Sequence, residues 1–195
     1  LPDLSVKLSE IGNNVAFHER DTDEGVTIRG DLSLAGTTVG GSVKFQDAEI
    51  QSGLSLAGAT VEKSAGFENA EIQGGLSLAA STIGWQVRMD GTTVEGEGGR
   101  DREYDVTLDS LTTESNIIAN GRTDFPDLSL KASEIGNNVA FYGRDTEGGP
   151  TIRGDLSLNY AAVGRSVKFQ DAEIRGDFSM TRIDVKKRIR LPTEA

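Results

Sequence analysis

Residues 32–94 read LSLAGTTVGGS, VKFQDAEIQSG, LSLAGATVEKS, AGFENAEIQGG, LSLAASTIGWQ and VRMDGTTV, six successive blocks whose starts lie 11 residues apart. Leu34, Phe45, Leu56, Phe67, Leu78 and Met89 hold the same place in each block. Inside a block the apolar or small residues are separated by 2, 3, 2 and then 4, as in Leu32, Leu34, Thr37, Val39 and then Val43, Phe45, Ala48, Ile50. A step of 2 puts both side chains on one face of an extended segment, whereas a helix needs apolar residues three and four apart. The steps of 3 and 4 are therefore corners. The residue after the shorter corner is small (Thr37, Ala48, Ala59, Ala70, Ser81, Thr92), which lets the backbone turn close to the interior, and Gly and polar residues fill the longer one.

Blocks alternate between LSLAG and VKFQDAEI types, so the structural period is 22 residues, one coil of a parallel β-solenoid. Stacked coils about 4.8 Å apart turn identical inward positions into ladders and pair their strands coil to coil. A crossover between parallel strands is right-handed. The expected fold is an all-β, right-handed parallel β-helix of about eight coils of 22 residues, a single domain over 1–195.

The register extends over the rest of the chain once three bulge loops are allowed, at 18–25, 95–105 and 142–149. HERDTDEG delays Val26 and Ile28 by six residues, and EGEGGRDREYD separates Val94 from Val106 with eight extra. The segment just before Leu128 fits least well. From there the chain repeats its own beginning at an offset of 124, residues 1–71 matching 125–195, and 37 of the 49 residues from Pro2 to Ile50 recur identically. Ten blocks plus insertions of six and eight residues make a whole number of coils, so the duplication preserves the stack. The chain opens at Leu1 already inside the repeat and ends at Ala195 just after another, which reads as an excerpt or a processed piece.

Composition narrows function. Gly is abundant at 24 residues, as tight corners require, and Cys is absent, which excludes disulfides and thiolate metal sites and fits a reducing, cytoplasmic compartment. A net charge of −11 argues against direct binding of nucleic acid, because such proteins neutralise phosphates with Lys and Arg. No apolar run approaches the roughly 20 residues of a spanning helix, and no basic-then-apolar signal peptide opens the chain.

The blocks VKFQDAEI and LSLAGATV, with small-then-large pairs such as Ala48 and Ile50, resemble the pentapeptide-repeat superfamily of right-handed β-helices. The 11-residue step and the two large residues of LSL depart from that family's strict fives. The chain is similar also to long bacterial repeat proteins of the IGGxLxLxxAxI type, broken by a Gly-rich loop and a segment like VTLDSLTT, here residues 106–113. Some of those carry an oxidoreductase label, yet such a likeness informs fold rather than activity.

Chemistry is sparse. His18 is the single histidine, and Tyr142 takes its place in the second copy. Asp21–Gly25 begins like a calcium loop but lacks the spacing and the closing Glu. Gly96–Gly99 precedes no helical pattern and no Lys-Ser/Thr pair, so it is not a phosphate loop. Asp47, Glu49, Glu68, Glu71, Asp90, Asp171 and Glu173 recur outside one block type beside Lys44, Arg88 and Lys168, the pattern of a solvated face. No catalytic residue, metal ligand or cofactor is assigned, and no small-molecule ligand is evident. The LSLAG side, with Ser33, Ser55, Ser77, Thr38, Thr60 and Thr82, is expected to form a flat, small, uncharged docking face. The expectation is a non-enzymatic structural or protein-interaction module, a rigid scaffold, spacer or self-stacking subunit with a protein partner. An acidic mimic of DNA that occupies a DNA-handling enzyme, which the resemblance implies, is one alternative. A polysaccharide-binding or polysaccharide-active β-helix built around the inserts is another, and ice binding a third.

Overall fold

The computed structural model describes residues 4–5, 10–17, 26–96, 105–143 and 148–192; most of the three bulge loops, 18–25, 97–104 and 144–147, lies outside them. The chain is all-β and winds as a right-handed parallel β-helix. One coil shows why. Leu32–Ser33, Thr38–Val39, Val43–Lys44 and Glu49–Ile50 are four two-residue strands, one per side of the coil. Each pairs in parallel with the strand 22 residues on, Leu32 with Leu54, Val39 with Val61, Val43 with Ala65 and Ile50 with Ile72. Repetition builds four sheets, named A to D in that order, of eight, eight, eight and seven strands.

Corners come in two kinds. Between A and B, and again between C and D, the residue before the small one takes a left-handed conformation: Gly36 at φ 68° and Asp47 at 54°. The Thr37 N–H donates to the Leu34 carbonyl at 3.1 Å, so this corner is a type II turn. Positive φ then recurs at Gly58, Asn69, Ala80 and Gly91, one per 11-residue block. These corners also join the stack, because the Gly36 N–H donates to the Ala57 carbonyl of the next coil at 2.9 Å. At the B-to-C corner the coils approach more closely. A Cβ on Gly84 would lie 2.2 Å from the Glu62 carbonyl oxygen, which only glycine tolerates.

The core is the set of inward ladders. Leu34, Phe45, Leu56, Phe67, Leu78 and Met89 are all essentially buried, as are the small corner residues Thr37, Ala48, Ala59, Ala70, Ser81 and Thr92. The buried hydroxyls at these corners bond to backbone: Ser81 Oγ donates to the Leu78 carbonyl at 2.7 Å and Thr92 Oγ1 to that of Phe67 at 2.7 Å. Phe17, Phe45 and Phe67 stack with ring centroids 5.1 and 5.5 Å apart.

The poorly fitting segment before Leu128 has a structural account. Thr123 occupies the small corner place and Asp124 pairs with Thr93, one residue later than the block predicts, while Phe125 and Leu128 are three apart instead of four. A residue gained at the C-to-D corner is lost at the D-to-A corner. In the same coil Ala119 stands where other coils place Phe or Met, and Phe125 where they place Ile or Val, so volume removed on one side is returned on another. Leu111 and Thr113 exchange large and small in the same manner, and Thr113 Oγ1 donates to the Trp85 carbonyl at 2.8 Å.

Candidate interaction surface

Outward positions form rows along the rod, so a surface is read sheet by sheet. On sheet A the row is Ser33, Ser55, Ser77, Thr107, Ser129, Ser157 and Ser179, each alternating with inward apolar residues, and of these Ser129 and Ser157 are covered and buried. Its first part is concave rather than flat. Ser33, Ser55, Ser77 and Thr107 floor an open groove of about 540 Å³, with Asp31, Asp105 and Asp109 at its margins. The carboxylates there clamp neighbouring coils. Asp31 Oδ1 accepts from Ser52 Oγ at 2.5 Å and from the Gly53 N–H at 2.9 Å, and Asp109 Oδ1 accepts the Lys131 N–H at 2.8 Å and the Ser129 hydroxyl. Asp127, at the D-to-A corner with Asp31 and Asp105, accepts the Asp105 N–H at 2.6 Å. Burial pushes its carboxyl above the usual carboxylate range, and the negative charges of Asp105 and Asp155 add to that rise.

Thr38, Thr60 and Thr82 project from sheet B, exposed. The six Ser and Thr residues singled out in the sequence therefore occupy two sides that meet at the A-to-B corner, one grooved and one not. Towards the second copy the sheet B row continues as Thr112, Glu134, Ala162 and Asp184, gaining charge. Corner residue Tyr160 there is 56% exposed, and the Arg182 guanidinium lies 5.9 Å from its ring centroid.

The acids of the VKFQDAEI blocks divide between the C-to-D corner and sheet D, and several of them carry local partners. Arg88, in the sheet C row, reaches Asp90 at 2.5 Å and Glu68 at 3.5 Å, and the Asp90 hydrogen bond raises the guanidinium's pKa further. Glu49, Glu71 and Glu173 belong to sheet D. Thr27 Oγ1 donates to Glu49 at 3.2 Å, and Arg175 grips Glu173 through Nε at 2.9 Å and Nη2 at 3.1 Å, holding that carboxyl below its usual range. Asp47, at its corner, accepts from Asn69 Nδ2 at 2.9 Å. Arg153 pairs with Asp124 at 3.2 Å and donates to the Val94 carbonyl at 2.8 Å.

Two surface features were not found from the sequence. Trp85 is 57% exposed beside the close B-to-C contact, its only sequence signal being GWQ in place of GGS. On sheet C, Ile118 and Ala140 interrupt the row of Lys44, Arg88 and Lys168, flanked by Asn116, whose Oδ1 accepts from Asn138 Nδ2 at 2.9 Å. His18, Asp21–Gly25 and Glu97–Gly99 lie outside the described residues. Among the described residues no three His, Asp or Glu side chains are grouped to hold a metal ion, and no helix is long and apolar enough to cross a membrane. Searches among protein-family models, curated proteins and solved structures found no match to this chain.

Proposed function

We propose that the chain is a non-enzymatic structural or protein-interaction module, a rigid rod that serves as scaffold, spacer or self-stacking subunit. One observation carries this reading: every coil meets the next in the same register in sheets A, B and C, whatever is inserted at the other corners. Such a stack uses its inward side chains for the ladders and its backbone groups for coil-to-coil bonds, and what remains for function is a set of outward rows at fixed spacing. Kinship with the pentapeptide-repeat superfamily belongs to the same proposal, supported by inward pairs such as Ala48 and Ile50.

Spin labels at Thr38→Cys and Asp184→Cys, both exposed and six coil steps apart on sheet B, test rigidity. A single narrow distance distribution near 29 Å, about 4.8 Å per step, is expected. A broad distribution that shifts with temperature below the unfolding transition overturns the rod.

The sheet A groove favours a second reading, binding of a polyhydroxylated chain such as a polysaccharide along the Ser/Thr row. Asp31 and Asp109 already accept hydrogen bonds that clamp coils, which supports recognition over acid–base cleavage. A glycan panel bound neither by the wild type nor by Asp105→Asn ends that reading. For the DNA-mimic alternative, Arg88, Arg153 and Arg175 weigh against it, since each neutralises an acid of the rows it would need.

A further inference from the structure

Resting on the glycan reading of the sheet A groove, we infer that its occupant is an amino-sugar polymer, a linear glycan whose sugars carry free, protonated amines. The sequence opens the groove by leaving side chains out. At the D-to-A corner Asp31, Asp105, Asp127, Asp155 and Asp177 hold one place in the coil, yet Gly53 and Gly75 hold it in the two coils between Asp31 and Asp105. At the A-to-B corner Ala35, Ala57 and Ala79 stand where the next coils place Asp109, Lys131 and Asn159. Beside Ser55 and Ser77 these corner places thus carry nothing larger than a methyl group. The trough runs from Ser33 to Thr107, three coil steps or about 14 Å.

The lining asks for two kinds of group at once. Ser33, Ser55 and Ser77 are half-buried, and each Oγ accepts the N–H two residues on, from Ala35 at 3.4 Å, Ala57 at 3.3 Å and Ala79 at 3.5 Å. An oxygen held in this way keeps its own proton to donate, so the floor is a row of hydroxyl donors, one strand spacing apart, that calls for acceptor oxygens opposite. The margins call for the reverse. Every ionisable lining residue that the structure describes is an acid, Asp31, Asp105 or Asp109. Both hydrogen bonds of Asp109 fall on Oδ1, and among the described residues no donor reaches the Asp105 carboxylate. A simple polyamine supplies cations without acceptor oxygens, a neutral glucan supplies oxygens and leaves the acids unpaired, and a uronate chain is repelled. A polymer of β-1,4-linked amino sugars carries hydroxyl oxygens and ammonium groups on one flat ribbon. It advances by close to one strand spacing per sugar, so successive rings fall in step with successive serines while their amines meet the aspartates at the two ends.

Calorimetric titration of the full chain with a β-1,4-linked glucosamine hexamer, its N-acetylated form, a glucose hexamer of the same linkage and spermine separates these occupants, at about pH 6 where carboxylates are ionised and amines protonated. The glucosamine hexamer is expected to bind best, its affinity to fall with added salt, and Asp105→Asn to weaken it roughly tenfold. Gly53→Asn returns a side chain to the gap, where the atom nearest the new Cβ is the flexible Asp31 Oδ1 at 3.3 Å, and is expected to abolish binding while circular dichroism stays that of wild type. Equal affinity for the glucose or the N-acetylated hexamer overturns the requirement for charge and leaves the groove a general glycan site. Equal affinity for spermine shows that charge alone suffices and overturns the sugar. Binding that both variants retain lies outside the groove and overturns the inference. If no glycan binds, the inference and the groove reading on which it rests fall together.

Discussion

Tyr160 and Arg182 hold left-handed backbone conformations, φ 63° and 54°, at corner places that glycine fills in earlier coils. For an L-residue that conformation costs roughly 1–2 kcal/mol, and at these two it is partly offset by the guanidinium resting on the phenol ring. Ala80 carries the same strain with no such contact to offset it. Ala80→Gly is expected to stabilise the protein by about 0.5–1 kcal/mol, net of the entropy glycine adds to the unfolded chain, and Gly58→Ala to destabilise it by about 1 kcal/mol although open space surrounds the new Cβ. Urea titration of both variants checks this; equal midpoints for Ala80→Gly and wild type would contradict it. None of this strain was legible in the sequence, because the inward pattern skips the corner residue and Tyr, Arg and Ala are not read as left-handed. Asp127 is a second residue whose neighbours decide its behaviour. Its folded pKa is raised, so its contribution to stability is fully present below the unfolded carboxylate pKa and is lost as pH rises through the higher folded value. Asp127→Asn keeps an oxygen to accept the Asp105 N–H and is expected to melt higher than wild type at pH 7, the gap closing as pH falls towards the ordinary carboxylate range.

At the scale of the coil, what was readable was the interior. Steps of two residues placed Leu34, Phe45, Leu56 and Phe67 inward because sequence distance within a strand fixes side-chain direction, and they are buried. The outside was read as one surface because a linear string gives no angle between Ser33 and Thr38; the turn at Gly36 puts them on different sides. The coil at 106–125 was hardest because large and small residues there are exchanged across the core rather than along a ladder. That exchange predicts coupling. Ala119→Phe alone overfills the coil and is expected to cost about 1–3 kcal/mol, and Phe125→Ile alone leaves a void, yet the pair together is expected to recover at least about 1 kcal/mol of the summed loss. A double-mutant cycle by chemical denaturation checks it, and strict additivity would contradict the volume argument. Gly84→Ala, in contrast, meets the Glu62 carbonyl and has no such remedy; the expected outcome is a loss of more than about 2 kcal/mol, seen as a lowered denaturant midpoint.

For the whole molecule, the deciding quantity is that the duplicated stretch contains an integral number of coils, with Leu4 and Leu128 in the same sheet and the same orientation. Inserting residues 51–174 a second time after Ile174 is expected to lengthen the rod by five coils, about 24 Å, with far-UV circular dichroism per residue unchanged. Small-angle scattering measures the added length, and a collapsed or unfolded product would show that coils are not interchangeable. The same arithmetic bears on inheritance. Two stretches of coding sequence this alike invite unequal exchange between gene copies, and any such accident gains or drops 124 codons without disturbing the reading frame or the winding. Descendants of this chain can thus differ in reach by fixed increments, each a ready-made product that folds on arrival.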